Sequence, residues 1–97
     1  MADTRLLAHW RNVELQLQQA AAYLADLEHI NLEGAALEEF QKFLNVNELE
    51  IAMWELEAIA KQHNVESGFW RKLMIPALSM KLHDKAEEFQ RRINELT

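Results

Sequence analysis

The feature that most constrains the fold is an apolar pattern near the start of the chain. Seven apolar residues recur there at alternating steps of four and three: Leu6, Trp10, Val13, Leu17, Ala20, Leu24 and Leu27. This spacing marks the a and d positions of a helix, and a strand period of two cannot mimic it over so long a stretch. We therefore predict a first helix from about Thr4 to about Glu28.

The remaining chain carries shorter helical patterns separated by brief turns. The sequence contains only two glycines and one proline, which favours helices over a sheet of many hairpins. We predict helices at about residues 33–44, 48–63, 67–82 and 83–96. In the turns between them, Asn47 and Ser67 are predicted N-caps and Asn64 a left-handed stop.

Proline interrupts one of these patterns. Pro76 removes a backbone donor and its ring crowds the preceding turn, so we expect a kink or a helix restart near Met74 and Ile75. The fold class that follows is all-α, a single compact bundle of four to five mostly antiparallel helices. With 97 residues the whole chain, 1–97, forms one helical domain.

Composition and charge narrow the functional classes. Cysteine is absent, no run of 18 apolar residues could span a membrane, and the first residues lack the apolar core of a secretory signal. These features lead us to expect a cytoplasmic protein. The net charge of −6 argues against direct nucleic-acid binding. The segment 26–66 contains ten acidic residues and two lysines, so a cationic partner would be steered towards it.

No catalytic or metal-binding pattern is visible in the sequence. The four histidines lie in separate segments, and none has the i, i+4 partner of a zinc-binding helix: His9, His29, His63 and His83. The two serines lie in no nucleophile elbow, and two isolated glycines cannot build a phosphate-binding loop. We therefore expect no enzyme activity, no catalytic residues, no metal site and no cofactor.

The third predicted helix departs from the simple pattern of one apolar and one polar face. Opposite its core stripe lies a second apolar stripe of Ile51, Trp54 and Ala58. Carboxylates flank this stripe on both edges, so that an apolar anchor is ringed by acids, as in an interface for a basic partner. The candidate partner-binding residues are Glu48, Glu50, Ile51, Trp54, Glu55 and Glu57.

A structural interpretation of the same stripe stays open. If the third helix is sandwiched between neighbours, Trp54 is simply part of the core. The other two tryptophans, Trp10 and Trp70, each lie within the apolar stripe of their own helix, so we expect both to be buried.

Part of the chain resembles a known class of proteins. The run Leu44-Asn45-Val46-Asn47-Glu48-Leu49-Glu50-Ile51-Ala52-Met53-Trp54-Glu55-Leu56 is followed by Trp70, Leu73, Ala77, Met80 and Leu82. Residues 44–82 thus resemble small bacterial immunity proteins of polymorphic and contact-dependent toxin systems, including the Maf-type immunity family. The resemblance implies a protein that binds and neutralises a cognate toxin domain in the cytoplasm, without a cofactor.

Two other functions remain open beside the toxin-neutralising one. The first-helix pattern could instead pair across a two-fold axis, which would make the protein a self-associating helical adaptor and a homodimer. The acidic middle section could alternatively imitate nucleic acid in an inhibitor. The packing of the first-helix seam distinguishes these two functions. A toxin-neutralising protein packs the seam within its own chain, whereas the homodimer packs it between two chains.

Overall fold

A computed structural model describes residues 4–27 and 37–97, and all statements below concern those residues. They form five helices: α1 Thr4–Ala25, α2 Glu38–Asn45, α3 Leu49–His63, α4 Ser67–Ser79 and α5 His83–Leu96. The all-α bundle predicted from the sequence is confirmed. The predicted start of the second helix at residue 33, the predicted end of the first at Glu28, and His29 lie outside the described residues. Within the described part, α1 ends earlier than expected, at Ala25.

The helices pack around one core. Helix α4 packs against both α1 and α5, while α3 packs against α1, α2 and, less extensively, α4. The Tyr23 hydroxyl donates a hydrogen bond to the Glu66 carboxylate at 2.7 Å, so the end of α1 lies beside the start of α4. The two helices are therefore antiparallel, as predicted. The largest fully buried side chains come from all five helices and include Leu17, Phe40, Leu56, Phe69 and Phe89.

Left-handed residues shape three of the turns. Asn64 ends α3 with φ of 51°, as predicted, and the following Val65 is buried. Asn47 has φ of 61° and belongs to the turn after α2, so its predicted role as an N-cap of α3 is wrong. Lys81, with φ of 60°, closes α4 because its N–H and that of Leu82 bond back to Leu78 and Ala77.

The start and interior of α4 also differ from expectation. Ser67 is the first helical residue rather than the N-cap, which is Glu66, and no side-chain cap bond is made there. Pro76 lies inside α4, and the helix continues past Met74 and Ile75 to Ser79 without a restart. The buried proline ring belongs to the core side of the helix, and α4 ends within one turn of it. The predicted kink of the α4 axis near Pro76 stays a prediction.

The helices are short or amphipathic. In the described part of the chain, no helix combines the length and the apolar character needed to cross a bilayer.

Candidate protein-binding site

The outward side of α3 carries the exposed tryptophan of the candidate site. Trp54 is 45% exposed, Ala58 is exposed, and Ile51 is partly buried. The core side of the same helix is filled by Leu49, Ala52, Met53, Leu56, Ile59 and Ala60. The interpretation of Trp54 as a core residue is therefore wrong, because nearly half of its side chain is exposed on the side of α3 opposite these residues. We call Ile51, Trp54 and Ala58 the α3 outer face.

Three of the four predicted carboxylates remain accessible around this face. Glu48 and Glu50 are exposed at the start of α3, and Glu55 is partly buried beside Trp54. Because residues four apart share a helix face, Glu50 stands one turn before Trp54. The α3 outer face therefore combines one large aromatic side chain with acids at its edge.

The fourth carboxylate, Glu57, does not belong to the exposed surface. It is only 4% exposed, and its two oxygens lie 3.0 and 3.2 Å from the Lys85 Nζ of α5. Lys61, one turn later in α3, lies 3.0 Å from the same carboxylate, and Glu88 pairs with both lysines. Glu57 thus ties α3 to α5, and its predicted role in partner binding is corrected to a structural one.

The pKa shifts of Lys85 and Glu88 agree with the ion pairs of this cluster. Desolvation by burial lowers the pKa of Lys85, but its hydrogen bond to Glu57 and the attraction of Glu57 and Glu88 raise it more, so the net shift is upward. Desolvation likewise raises the pKa of Glu88, whereas Lys85, Lys61 and Arg92 lower it, and the net shift is downward. Both charged forms are thus favoured in the folded protein.

A second exposed surface lies at one end of the bundle. A groove of about 700 Å³ opens between the first turns of α1, the start of α3 and the connection from α4 to α5. Its apolar lining comes from all three parts: Leu7, Trp10, Leu49, Met80 and Leu82. Its charged lining is mostly acidic, with Glu14, Glu48 and Glu50 against a single Arg11. We call this concavity the end groove.

The apolar seam of α1 extends further than the described residues that pack against it. Val13, Leu17, Ala20 and Leu24 are buried, whereas Leu6 is 51% exposed and Trp10 is 40% exposed. The expected burial of Trp10 is therefore wrong, while that of Trp70, at 2% exposed, is confirmed. Most of the seam thus packs within the chain. Only its first turns remain uncovered by the described residues.

The outer side of α4 carries a third feature. Ile75 and Leu78 are both about half exposed, on the side of α4 opposite the core residues Phe69, Leu73 and Ala77. Arg71 and Lys72 are exposed on the same helix, and the segment 67–81 contains three basic residues and no acidic one. We call Arg71, Lys72, Ile75 and Leu78 the basic ridge. This exposed surface was not predicted from the sequence.

The described residues hold no group of three or more histidine, cysteine, aspartate or glutamate side chains that could bind a metal ion. His9, His63 and His83 lie on three different helices. No family model, curated protein or solved structure matches this chain.

Proposed function

We propose that the protein is an immunity protein, which binds and neutralises a cognate toxin domain in the cytoplasm through the α3 outer face. The observation that carries the proposal is Trp54, which is 45% exposed on a helix whose other large apolar side chains are buried or partly buried. The resemblance of residues 44–82 to immunity proteins supports the choice of a toxin as the partner.

An exposed tryptophan with flanking acids suits this role physically. Tryptophan supplies a large contact area with few rotatable bonds, and it is enriched among the residues that dominate binding energy. Carboxylates such as Glu50 and Glu55 accelerate association with a basic surface and disfavour acidic partners. We therefore infer that the bound surface of the toxin is basic, with an apolar pocket for Trp54.

The test begins from the gene next to the one that encodes this chain, since an immunity gene normally follows its toxin gene. Its product is expressed with and without this protein, and growth of the host cells is measured. Binding is then measured by calorimetry with a catalytically inactive toxin variant. The proposal expects restored growth and a tight stoichiometric complex; a neighbouring product that is harmless and does not bind would contradict it.

The location of the interface is tested with two matched tryptophans. Trp54→Ala should weaken binding by at least about 2 kcal/mol, roughly 30-fold in Kd, mainly through faster dissociation. Trp10→Ala removes a similarly exposed tryptophan from the end groove and should leave binding unchanged. A loss of binding with Trp10→Ala alone would show that the toxin docks at the end groove instead.

A further inference from the structure

The end groove has an apolar lining that stays accessible to solvent. Leu7 and Trp10 of α1 are 47% and 40% exposed, so both side chains present apolar surface to a partner. Met80 and Leu82, from the connection after α4, add partly buried apolar side chains to the same lining. Apolar residues from separate segments thus meet in one concave surface, of the kind that marks a binding site for a partner.

The carboxylates of the groove come from two different parts of the fold. Glu14 follows Trp10 by four positions, so the two side chains share one face of α1. Glu48 and Glu50 are exposed at the start of α3 and line the groove from there. Against these three carboxylates, the lining that the described residues provide holds a single cation, Arg11. A ligand in the groove therefore meets acids from both α1 and the start of α3.

The architecture restricts the form that a bound peptide can take. The described residues form only helices, so this part of the chain offers no sheet edge to which an extended peptide could add a strand. An amphipathic helix instead places its apolar face in a groove and keeps its polar residues at the rim. Basic residues at that rim are attracted by Glu14, Glu48 and Glu50, whereas acidic residues are repelled.

We infer that the end groove is a second partner-binding site, which accepts a cationic amphipathic helix from another protein. The apolar face of that helix covers Leu7 and Trp10, and its lysine or arginine residues pair with the acids of the lining. The inference goes beyond the proposed function, because it adds a second partner and does not involve Trp54, which lies outside the groove. Glu48 and Glu50 also belong to the surface proposed for the toxin, so the experiments leave both unchanged.

A model peptide supplies the chemistry of the inferred partner. It has about 14 residues, roughly four helical turns, with leucine along one helix face and lysine elsewhere. Calorimetry with the full chain should show one saturable site, whose affinity falls as salt is added. The same peptide with glutamate in place of lysine should bind at least about ten-fold more weakly. No binding of the lysine peptide up to about 1 mM, or equal binding of the two peptides, would overturn the inference.

The indole N–H signals in an NMR spectrum locate the bound peptide. Each of the three tryptophan signals is first assigned by substitution of that tryptophan with phenylalanine. Titration with the lysine peptide should shift the signal of Trp10 and leave that of Trp54 in place, because only Trp10 lines the groove. A peptide that shifts Trp54 and leaves Trp10 unchanged would refute the groove as its binding site.

A matched pair of leucines tests the apolar lining. Leu7 and Leu15 are similarly exposed on α1, at 47% and 51%, but only Leu7 lines the groove. Leu7→Ala should weaken peptide binding at least about five-fold, because the peptide then buries less apolar surface. Leu15→Ala should leave peptide binding unchanged. Equal effects of the two substitutions would contradict the inference.

A matched pair of acids tests the charge of the lining. Glu14→Lys should weaken binding of the lysine peptide at least about three-fold, since it replaces an attraction with a repulsion. Glu95→Lys makes the same change of net charge beside Asn64, at the far end of α3. At about 0.15 M salt it should not affect peptide binding, because screening removes charge effects over that distance. An equal loss in both variants would exclude a specific role of the groove.

Two other occupants of the groove are outcomes of the same variants. Sedimentation velocity of the protein without peptide tests for a second copy, and self-association that Leu7→Ala abolishes would overturn the inference. Toxin binding by Leu7→Ala and Glu14→Lys should equal that of the wild type. Loss of toxin binding in these variants would assign the groove to the toxin and also overturn the inference. Failure of the peptide to bind leaves the proposed function intact, because no variant changes Trp54 or the acids beside it.

Discussion

The hydroxyl group of Tyr23 occupies the space into which a side chain at Gly68 would extend. A β-carbon built on Gly68 would lie 2.9 Å from the Tyr23 Cζ and closer still to the hydroxyl oxygen. Glycine at the second position of α4 thus lets the tyrosine of α1 lie against that helix and donate its hydrogen bond to Glu66. This contact fixes the register of the two antiparallel helices.

The first prediction concerns this contact. Gly68→Ala should lower the free energy of unfolding by about 1 kcal/mol, because Tyr23 must move and lose its bond to Glu66. In a Tyr23→Ala background the same substitution should instead stabilise the protein by about 0.5 kcal/mol, since alanine is the better helix former. Urea unfolding of the four proteins measures the coupling; additive effects would show that the two residues do not interact.

The second prediction concerns the buried carboxylate of α3. Glu57→Ala should lower the free energy of unfolding by about 1–2 kcal/mol, because Lys85 and Lys61 lose a charge-assisted hydrogen-bond partner. The figure is modest because both lysines are partly exposed to water. Glu50→Ala, at an exposed position of the same helix, is the control and should change stability by less than about 0.5 kcal/mol. Equal effects of the two substitutions would contradict the structural role of Glu57.

The third prediction follows from the pKa shifts of Lys85 and Glu88. The pKa of Glu88 is lowered in the folded protein, so its contribution is present above 4.5 and is lost as pH falls through the folded value. The pKa of Lys85 is raised, so its contribution is present below 10.5 and is lost as pH rises through the folded value. The contributions of Glu88 and Lys85 to the stability of the fold are therefore both fully present between pH 4.5 and pH 10.5.

Stability as a function of pH checks this window. The stability difference between the wild type and Glu88→Gln should be constant near neutral pH and should shrink in acid. The difference between the wild type and Lys85→Met should be constant near neutral pH and should shrink in strong alkali, as Lys85 loses its charge. A Glu88→Gln difference that is unchanged at pH values well below 4.5 would exclude the proposed ion pairing.

The sequence predicted local features of this fold better than its tertiary contacts. Helical periodicity identified α3 and α5 nearly to the residue and α4 at its start, and Asn64 marked a real left-handed turn. Periodicity states which side chains share a face, but not how far a neighbouring helix extends along it. Trp10 was for that reason expected in the core, although the bundle stops short of it.

The same limit of periodicity decides which residues of the candidate site could be predicted from the sequence. Trp54, Glu48 and Glu50 could be assigned to a surface because their stripe lies opposite the core residues of α3. Glu57 could not be distinguished from them, since its burial depends on Lys85, which lies 28 positions later in the chain. The end groove forms only where three separate segments meet, so it could not be predicted from any one of them. A local sign of it in the sequence was Leu7, an apolar residue outside the α1 seam.

The last prediction compares the three tryptophans as alanine variants. Trp70 is 2% exposed, packs against Phe69 and Phe89, and has the Arg92 guanidinium 4.9 Å from its ring centre. Trp70→Ala should therefore lower the free energy of unfolding by about 3–5 kcal/mol through the cavity that it creates. Trp54→Ala and Trp10→Ala remove side chains that are nearly half exposed, so each should cost no more than about 1 kcal/mol.

Urea unfolding followed by far-UV circular dichroism suits this comparison, because the signal does not depend on tryptophan itself. A cost of 3 kcal/mol or more for Trp54→Ala would place Trp54 in the core. That outcome would remove the observation on which the partner-binding role of α3 depends, whereas a small cost leaves Trp54 available as an anchor for the toxin.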